Sequence, residues 1–171
     1  GKRPFLFLDV VQELRDAGVE FSAAVAGDGP LMDSLTSRAE NLQVELLGSR
    51  SDVPDLLRAA AVVVMTSAED TEGMPGVLVE AGLSGVPVVS TRAAGVTDVV
   101  VDGVTGFVSD SDAAASLASD VNRLLVSPAL RSQLGEAAVR HCRRLFSIEA
   151  AAGQWEAHLG QLVTSRGMSS A

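Results

Sequence analysis

The sequence predicts an α/β domain: a doubly wound parallel sheet with helices on both faces. Helical stripes and short strand patterns alternate along nearly the whole chain. The strands are close to continuous apolar runs, as expected of strands covered on both faces. Glycine-rich or polar turns close several of these strands before the next helix begins. With 171 residues and a hydrophobic fraction of 47%, the chain can bury one sizeable core. No repeat recurs at a fixed period.

The elements follow in order. Phe5, Leu6, Leu8, Val10, Val11 and Leu14 form a helical stripe, opened by Pro4 and stopped by Gly18. Phe21 to Ala26 is a short apolar strand, and Gly27-Asp28-Gly29-Pro30 turns the chain into a helix from Leu31 to Glu40. Val44 to Leu47 is a second strand, closed by Gly48. Asp52 is placed to cap a helix from Pro54 to Ala60, its carboxylate accepting from first-turn N–H groups. Val62 to Met65 is a buried strand, followed by a polar loop and a helix from about Gly76 to Gly85. Val86 to Ser90 is another buried strand, Gly95 to Val101 a helical turn, and Phe107-Val108 a brief last strand. Helices then fit Ala113 to Leu125, Pro128 to Leu145 and Ile148 to Val163, with Ser127-Pro128 and Ser147 as boundaries. The domain is read as residues 1–164, with 165–171 as a frayed tail.

Composition removes several function classes. A net charge of −9, no tyrosine and one tryptophan argue against a nucleic-acid partner. Cys142 is the only cysteine, so neither an internal disulfide nor a cysteine-cluster zinc site can form. The apolar runs are too short to span a bilayer and no signal-peptide layout is present, so a soluble, cytoplasmic domain is expected. Met32 stands where a dinucleotide fingerprint needs its third glycine. Lys2 is the only lysine, which excludes a GxxxxGK[ST] loop and a phosphotransfer receiver with its later strand-end lysine.

Ligands of such sheets sit at the carboxyl ends of the strands. Two loops there carry unusual residues. Gly27-Asp28-Gly29-Pro30 lets the backbone approach a ligand closely and leads into helix N–H groups; it fits an anion dock and a plain strand-to-helix turn alike. The second loop is Glu72-Gly73-Met74-Pro75-Gly76-Val77-Leu78-Val79-Glu80. Glu72 lies just beyond a strand and Glu80 about one turn inside the next helix. Two carboxylates so placed can grip two hydroxyl-rich parts of one extended ligand. Between them, the N–H groups of Gly76, Val77 and Leu78 are expected to be free and suited to phosphate oxygens. Diol, phosphate and hydroxyl-rich group, in that order, outline a nucleotide sugar.

These segments resemble, in order, the C-terminal, donor-binding half of a retaining GT-B glycosyltransferase of the family 4 type, whose sheet is Rossmann-like. Val25-Ala26-Gly27-Asp28-Gly29-Pro30 is similar to its strand and GDGP turn, and Leu46-Leu47-Gly48 to its next strand. Glu72 and Glu80 match its E-x7-E element. Glu80-Ala81-Gly82-Leu83-Ser84-Gly85-Val86-Pro87-Val88-Val89 resembles its E-A-x-x-x-G-x-P-V-V run, and Gly95, Gly103 and Thr105-Gly106-Phe107-Val108 its later turns.

The resemblance implies roles. Glu72 would contact the donor sugar, over a loop made by Met74, Pro75 and Gly76. Val77 and Leu78 would bind the diphosphate through backbone N–H groups, and Glu80 would hold the ribose hydroxyls. Gly27 would belong to the donor cleft, and Gly48, Ser49 and Arg50 would face the nucleobase. Lys2 stands where the family has a lysine that neutralises the leaving diphosphate. Glu72 and Lys2 are thus the implied catalytic pair. No cofactor and no obligatory metal are implied; the nucleoside-diphosphate sugar is the substrate. The family's donor half normally opens with a mid-sheet strand and a Gly-Arg pair, so that strand is expected to be missing here. An N-terminal acceptor-binding domain is expected as partner, with the full-length enzyme associated with a membrane surface and the isolated domain inactive. A non-catalytic nucleotide-binding or scaffold domain, and half of a GT-B-type sugar-nucleotide epimerase, are the alternatives. His141 and His158 read as helix-surface or structural residues, Cys142 as buried packing, and Trp155 as the anchor of the last helix.

Overall fold

The computed structural model describes residues 1–71, 73–109 and 111–167, with side chains not described at 160 and 162–167. Among the described residues helices and strands alternate up to α6, and two further helices follow: α1 (Pro4–Asp16), β1 (Ala23–Ala26), α2 (Met32–Asn41), β2 (Val44–Gly48), α3 (Val53–Ala59), β3 (Val63–Met65), α4 (Gly76–Leu83), β4 (Val88–Thr91), α5 (Val96–Val99), β5 (Gly106–Ser109), α6 (Ala114–Val126), α7 (Pro128–Phe146) and α8 (Ile148–Gly167). Every strand pairing among them is parallel.

The strands fall into two hydrogen-bonded groups, β1–β2 and β3–β4–β5. Within the larger group β4 is buried at all four positions, with period-two alternation. Val89 joins Val10 and Leu14 of α1, Phe107, four residues of α6 and Leu134 of α7. Val88 faces the other way, into Met65, Val108, Leu57 of α3, Leu78 and Ala81 of α4, and Cys142 of α7. This group therefore has helices on both faces. Leu117, Leu124 and Leu134 are completely buried, and each such side chain stabilises the fold by ~1.5–3 kcal/mol.

The smaller group is covered less. Along β1, half-buried Ala23 and Val25 alternate with exposed Ala24 and Ala26, so helices cover one of its faces. Ala23 and Val25 pack with Leu8 and Val11 of α1 and Leu35 and Ala39 of α2. Helix α1 thus enters the cores of both strand groups and ties them together.

Helix boundaries follow from local chemistry. Ser127 caps α7, its hydroxyl accepting from the Leu130 N–H at 3.2 Å, and Ser147 does the same for α8 through the Ala150 N–H at 3.1 Å. Asp52 departs from expectation. It precedes α3, but its side chain makes no capping bond; both carboxylate oxygens are taken by Arg50, at 2.8 and 2.6 Å. A bidentate guanidinium pair is the stronger competitor for that carboxylate. Trp155, expected as the anchor of the last helix, does not anchor it within this domain. It is 65% exposed, its one aromatic neighbour being His158 in an edge contact. Ile148, Trp155 and Leu159 share an exposed helical face of α8. Cys142 is buried as expected, and burial pushes its thiol pKa up. Residues 165–167, read as part of the tail, continue α8; residues 168–171 lie outside the described set.

Candidate functional site

The first part of the site is built by the ends of β1 and β2. The Gly27 N–H donates to the Gly48 carbonyl at 2.8 Å, so the two turns are joined directly. Both residues have positive φ, 131° and 63°, where a side chain would be strained. Asp28 closes the first turn by accepting from the Gly29 N–H at 2.7 Å. Ser49 and Arg50 are exposed beyond Gly48. The Asp52 carboxylate holds the Arg50 guanidinium in place, which raises the pKa of Arg50 and lowers that of Asp52.

The second part is the loop from β3 into α4. Pro75 is buried, and its φ of −75° precedes the helix that starts at Gly76. Met74 is 58% exposed, and Gly76, Val77 and Glu80 are also open to solvent. Helical spacing puts Glu80 one turn along from Gly76 on the same side. Leu78, Ala81 and Gly82 form the opposite, buried side. One expectation changes here: the Leu78 N–H already donates to the Pro75 carbonyl at 3.0 Å. The donors left over at this helix start are those of Gly76 and Val77, which have no intrahelical acceptor. Leu78 serves instead as the core plug that fixes the helix start. Glu72 lies outside the described residues.

This loop is braced from behind by residues that the sequence did not single out as site residues. The Ala94 N–H donates to the Glu69 carbonyl at 2.9 Å, and the Thr91 hydroxyl to the Ser67 carbonyl at 2.6 Å. Gly95, at φ 72°, lies so close to the Gly73 carbonyl that a Cβ would stand 2.0 Å from that oxygen. The family resemblance marked Gly95 as a turn glycine, but not the loop it touches.

The third part is the N-terminal segment. Lys2 is exposed, and its carbonyl accepts from the Thr66 hydroxyl at 3.0 Å. It therefore stands at the end of β3, beside the loop that leads to Gly76. Arg3 pairs with Asp112, 109 positions away, a partnership without any local sequence signal. The Arg3 guanidinium holds the Asp112 carboxyl below its usual range. A carboxyl lowered in the folded state adds stability above its unfolded pKa and loses it as pH falls through the folded one. The side chain of Asp112 is 63% exposed, so we expect Asp112→Asn to cost under about 1 kcal/mol at pH 7. That difference should shrink in paired denaturant titrations as pH falls below about 4, the unfolded value of an aspartate; a difference that stays constant with falling pH would contradict the pair.

Among the described residues no three His, Cys, Asp or Glu side chains gather as a metal-binding cluster. No described helix is long and apolar enough to cross a membrane. His141 lies half-buried on α7 with its Nδ1 3.4 Å from Arg144, and His158 is exposed on α8; neither element contributes to the strand-end loops.

Solved structures share this arrangement. The Anabaena protein Alr3699/HepE, crystallised in complex with UDP, superposes with a TM-score of 0.81 at 26% identity, over 94% of this chain and 45% of that one. The C-terminal domain of a glycosyl transferase group 1 family protein (LpcC) from Francisella tularensis shares the fold, with a TM-score of 0.72 at 20% identity over 86% of this chain and 80% of that one. Parallel strands with their site loops at the carboxyl ends are thus those of a GT-B glycosyltransferase domain. The model of the glycosyl transferases group 1 family matches residues 2–127, and the chain belongs to that family. The N-acetyl-alpha-D-glucosaminyl L-malate synthase of Bacillus anthracis is 29% identical over 154 residues, which is 86% of this chain and 40% of that enzyme. The chain thus spans less than half the length of this relative.

Proposed function

We propose that this chain is the nucleotide-sugar donor-binding half of a retaining glycosyltransferase, which moves a sugar from a nucleoside diphosphate to an acceptor held by an N-terminal domain. The observation that carries the reading is the start of α4. Unspent N–H groups of Gly76 and Val77 and the carboxylate of Glu80, one turn on, are exposed together at the carboxyl end of β3. Phosphate oxygens suit the first and ribose hydroxyls the second. Gly48, Ser49 and Arg50 would receive the base. Glu72 would contact the sugar hydroxyls over Met74 and Pro75, and Gly27 would border the cleft.

As the glycosidic bond to the donor breaks, negative charge grows on the diphosphate. Lys2 and the α4 N–H groups would stabilise that charge by fixed dipoles and a cation, with no obligatory metal. The isolated domain would bind donor and transfer nothing. The UDP complex of the Anabaena relative makes UDP the first nucleotide to try. Calorimetric titration with UDP, GDP and ADP is expected to show binding of at least one, weakened about tenfold or more by Glu80→Ala, the size of a lost hydrogen bond to a charged group. No binding of any of the three by a folded chain would overturn the proposal; an unchanged affinity of Glu80→Ala would remove Glu80 from the site.

A further inference from the structure

Arg3 adopts φ 45° and ψ 58°. Only Arg3 and Gln43 among the described non-glycine residues have positive φ, and Arg3 also precedes Pro4, where sterics favour extended backbone. Such a conformation persists only where its surroundings enforce it. Here the side chain does so. Its Nε donates to the Thr66 carbonyl and one terminal nitrogen to the Ser67 carbonyl, each at 2.7 Å. Both terminal nitrogens also reach the two carboxylate oxygens of Asp112, in the loop before α6. The partners are firm: Thr66 is 5% exposed and Ser67 fully buried.

The same loop holds the backbone on the other side. The Thr66 hydroxyl lies 3.0 Å from the carbonyls of both Lys2 and Arg3, and the Ala68 N–H donates to the Gly1 carbonyl at 3.0 Å. The carbonyls of Gly1, Lys2 and Arg3 are all engaged, and the guanidinium locks the set. The guanidinium makes four bonds here, two to carbonyls and two to the carboxylate, one more than the three N–H donors of an ammonium could supply.

We propose that Arg3 is a positioning residue: its guanidinium clamps the Gly1–Lys2 backbone to the end of β3 and to Asp112, and so fixes Lys2 for the diphosphate of the donor. The inference rests on the donor-binding reading above. A long lysine side chain loses less freedom on binding when its backbone is already held.

The test is calorimetric binding of UMP and UDP to the wild-type protein, Arg3→Gly, Lys2→Ala and the double variant. Glycine accepts φ 45° without strain, so Arg3→Gly keeps the backbone path and removes only the clamp; far-UV circular dichroism checks the fold. The preference for UDP over UMP reads the contact to the second phosphate. It is expected to fall about tenfold in Arg3→Gly and in Lys2→Ala, with UMP affinity little changed, and no further in the double variant. A loss shared equally by UMP and UDP, an unchanged preference in Arg3→Gly, or additive losses in the double variant would each overturn the role and leave donor binding standing. Failure of the wild-type protein to bind UDP, GDP or ADP would overturn the donor-binding reading and this role with it; where GDP or ADP is the nucleotide bound, it and its monophosphate replace UDP and UMP in the comparison.

Discussion

Gly95→Ala is expected to lower the melting temperature by roughly 5–15 °C and to weaken nucleotide binding with it. The residue lies at φ 72°, and an added Cβ would stand 2.0 Å from the Gly73 carbonyl oxygen and 3.1 Å from the Met74 Cα. The conformational part costs ~1–2 kcal/mol for an L-residue. Overpacking against rigid backbone adds ~1–3 kcal/mol. In a chain of this size each kcal/mol shifts the transition by about 2–4 °C. The atoms that must give way belong to the turn that feeds Pro75 and Gly76, so the start of α4 moves with them. Differential scanning calorimetry and titration with UDP on the same samples would check both effects. A melting point within about 2 °C of wild type, with unchanged affinity, would show that the turn yields freely and does not position the donor loop.

Gly135→Ala separates stability from binding. In a helix interior this exchange ordinarily gains ~1 kcal/mol from backbone entropy. Here the new Cβ would lie 2.1 Å from the Gly85 carbonyl oxygen and 3.0 Å from its carbon. Gly85 is itself held at φ 74° in the turn after α4, so the carbonyl has little freedom to rotate. Helix α7, which packs along α4, must lift away, and a net loss of about 1–3 kcal/mol is expected. Because α7 contributes nothing to the strand-end loops, affinity for UDP measured well below the transition should stay within about twofold of wild type. Stabilisation by this change would mean that the helices separate without cost, and a large loss of affinity would tie α7 to the site.

The two glycines also show which parts of the molecule were legible. Alternating patterns located the elements because burial period follows chain geometry: Val88 and Val89 face opposite cores simply by being adjacent in a strand. The turn glycines and the Glu72–Glu80 spacing pointed to the loop before α4 for an equally local reason, since one helical turn separates Gly76 from Glu80; its donor-binding role is a proposal. Asp52 and Leu78 were misjudged because each had a competing partner, Arg50 and the Pro75 carbonyl, whose claim depends on relative geometry. Trp155 was misjudged because composition gives the wish of a side chain to be buried, not the presence of a surface to bury it.

From the sequence alone follow the α/β class, the order of its elements, the ends of the strands as the place for a ligand, and the residue types that suit a nucleotide sugar there. Each rests on interactions between near neighbours. The tertiary structure decided that the strands form two groups spanned by α1, that Gly95 backs the loop before α4, and that Arg3 joins Lys2 to Thr66, Ser67 and Asp112. Those contacts bridge from about 20 to more than 100 positions of chain. Only the packing of the whole brings such residues together, and no spacing in the sequence encodes it.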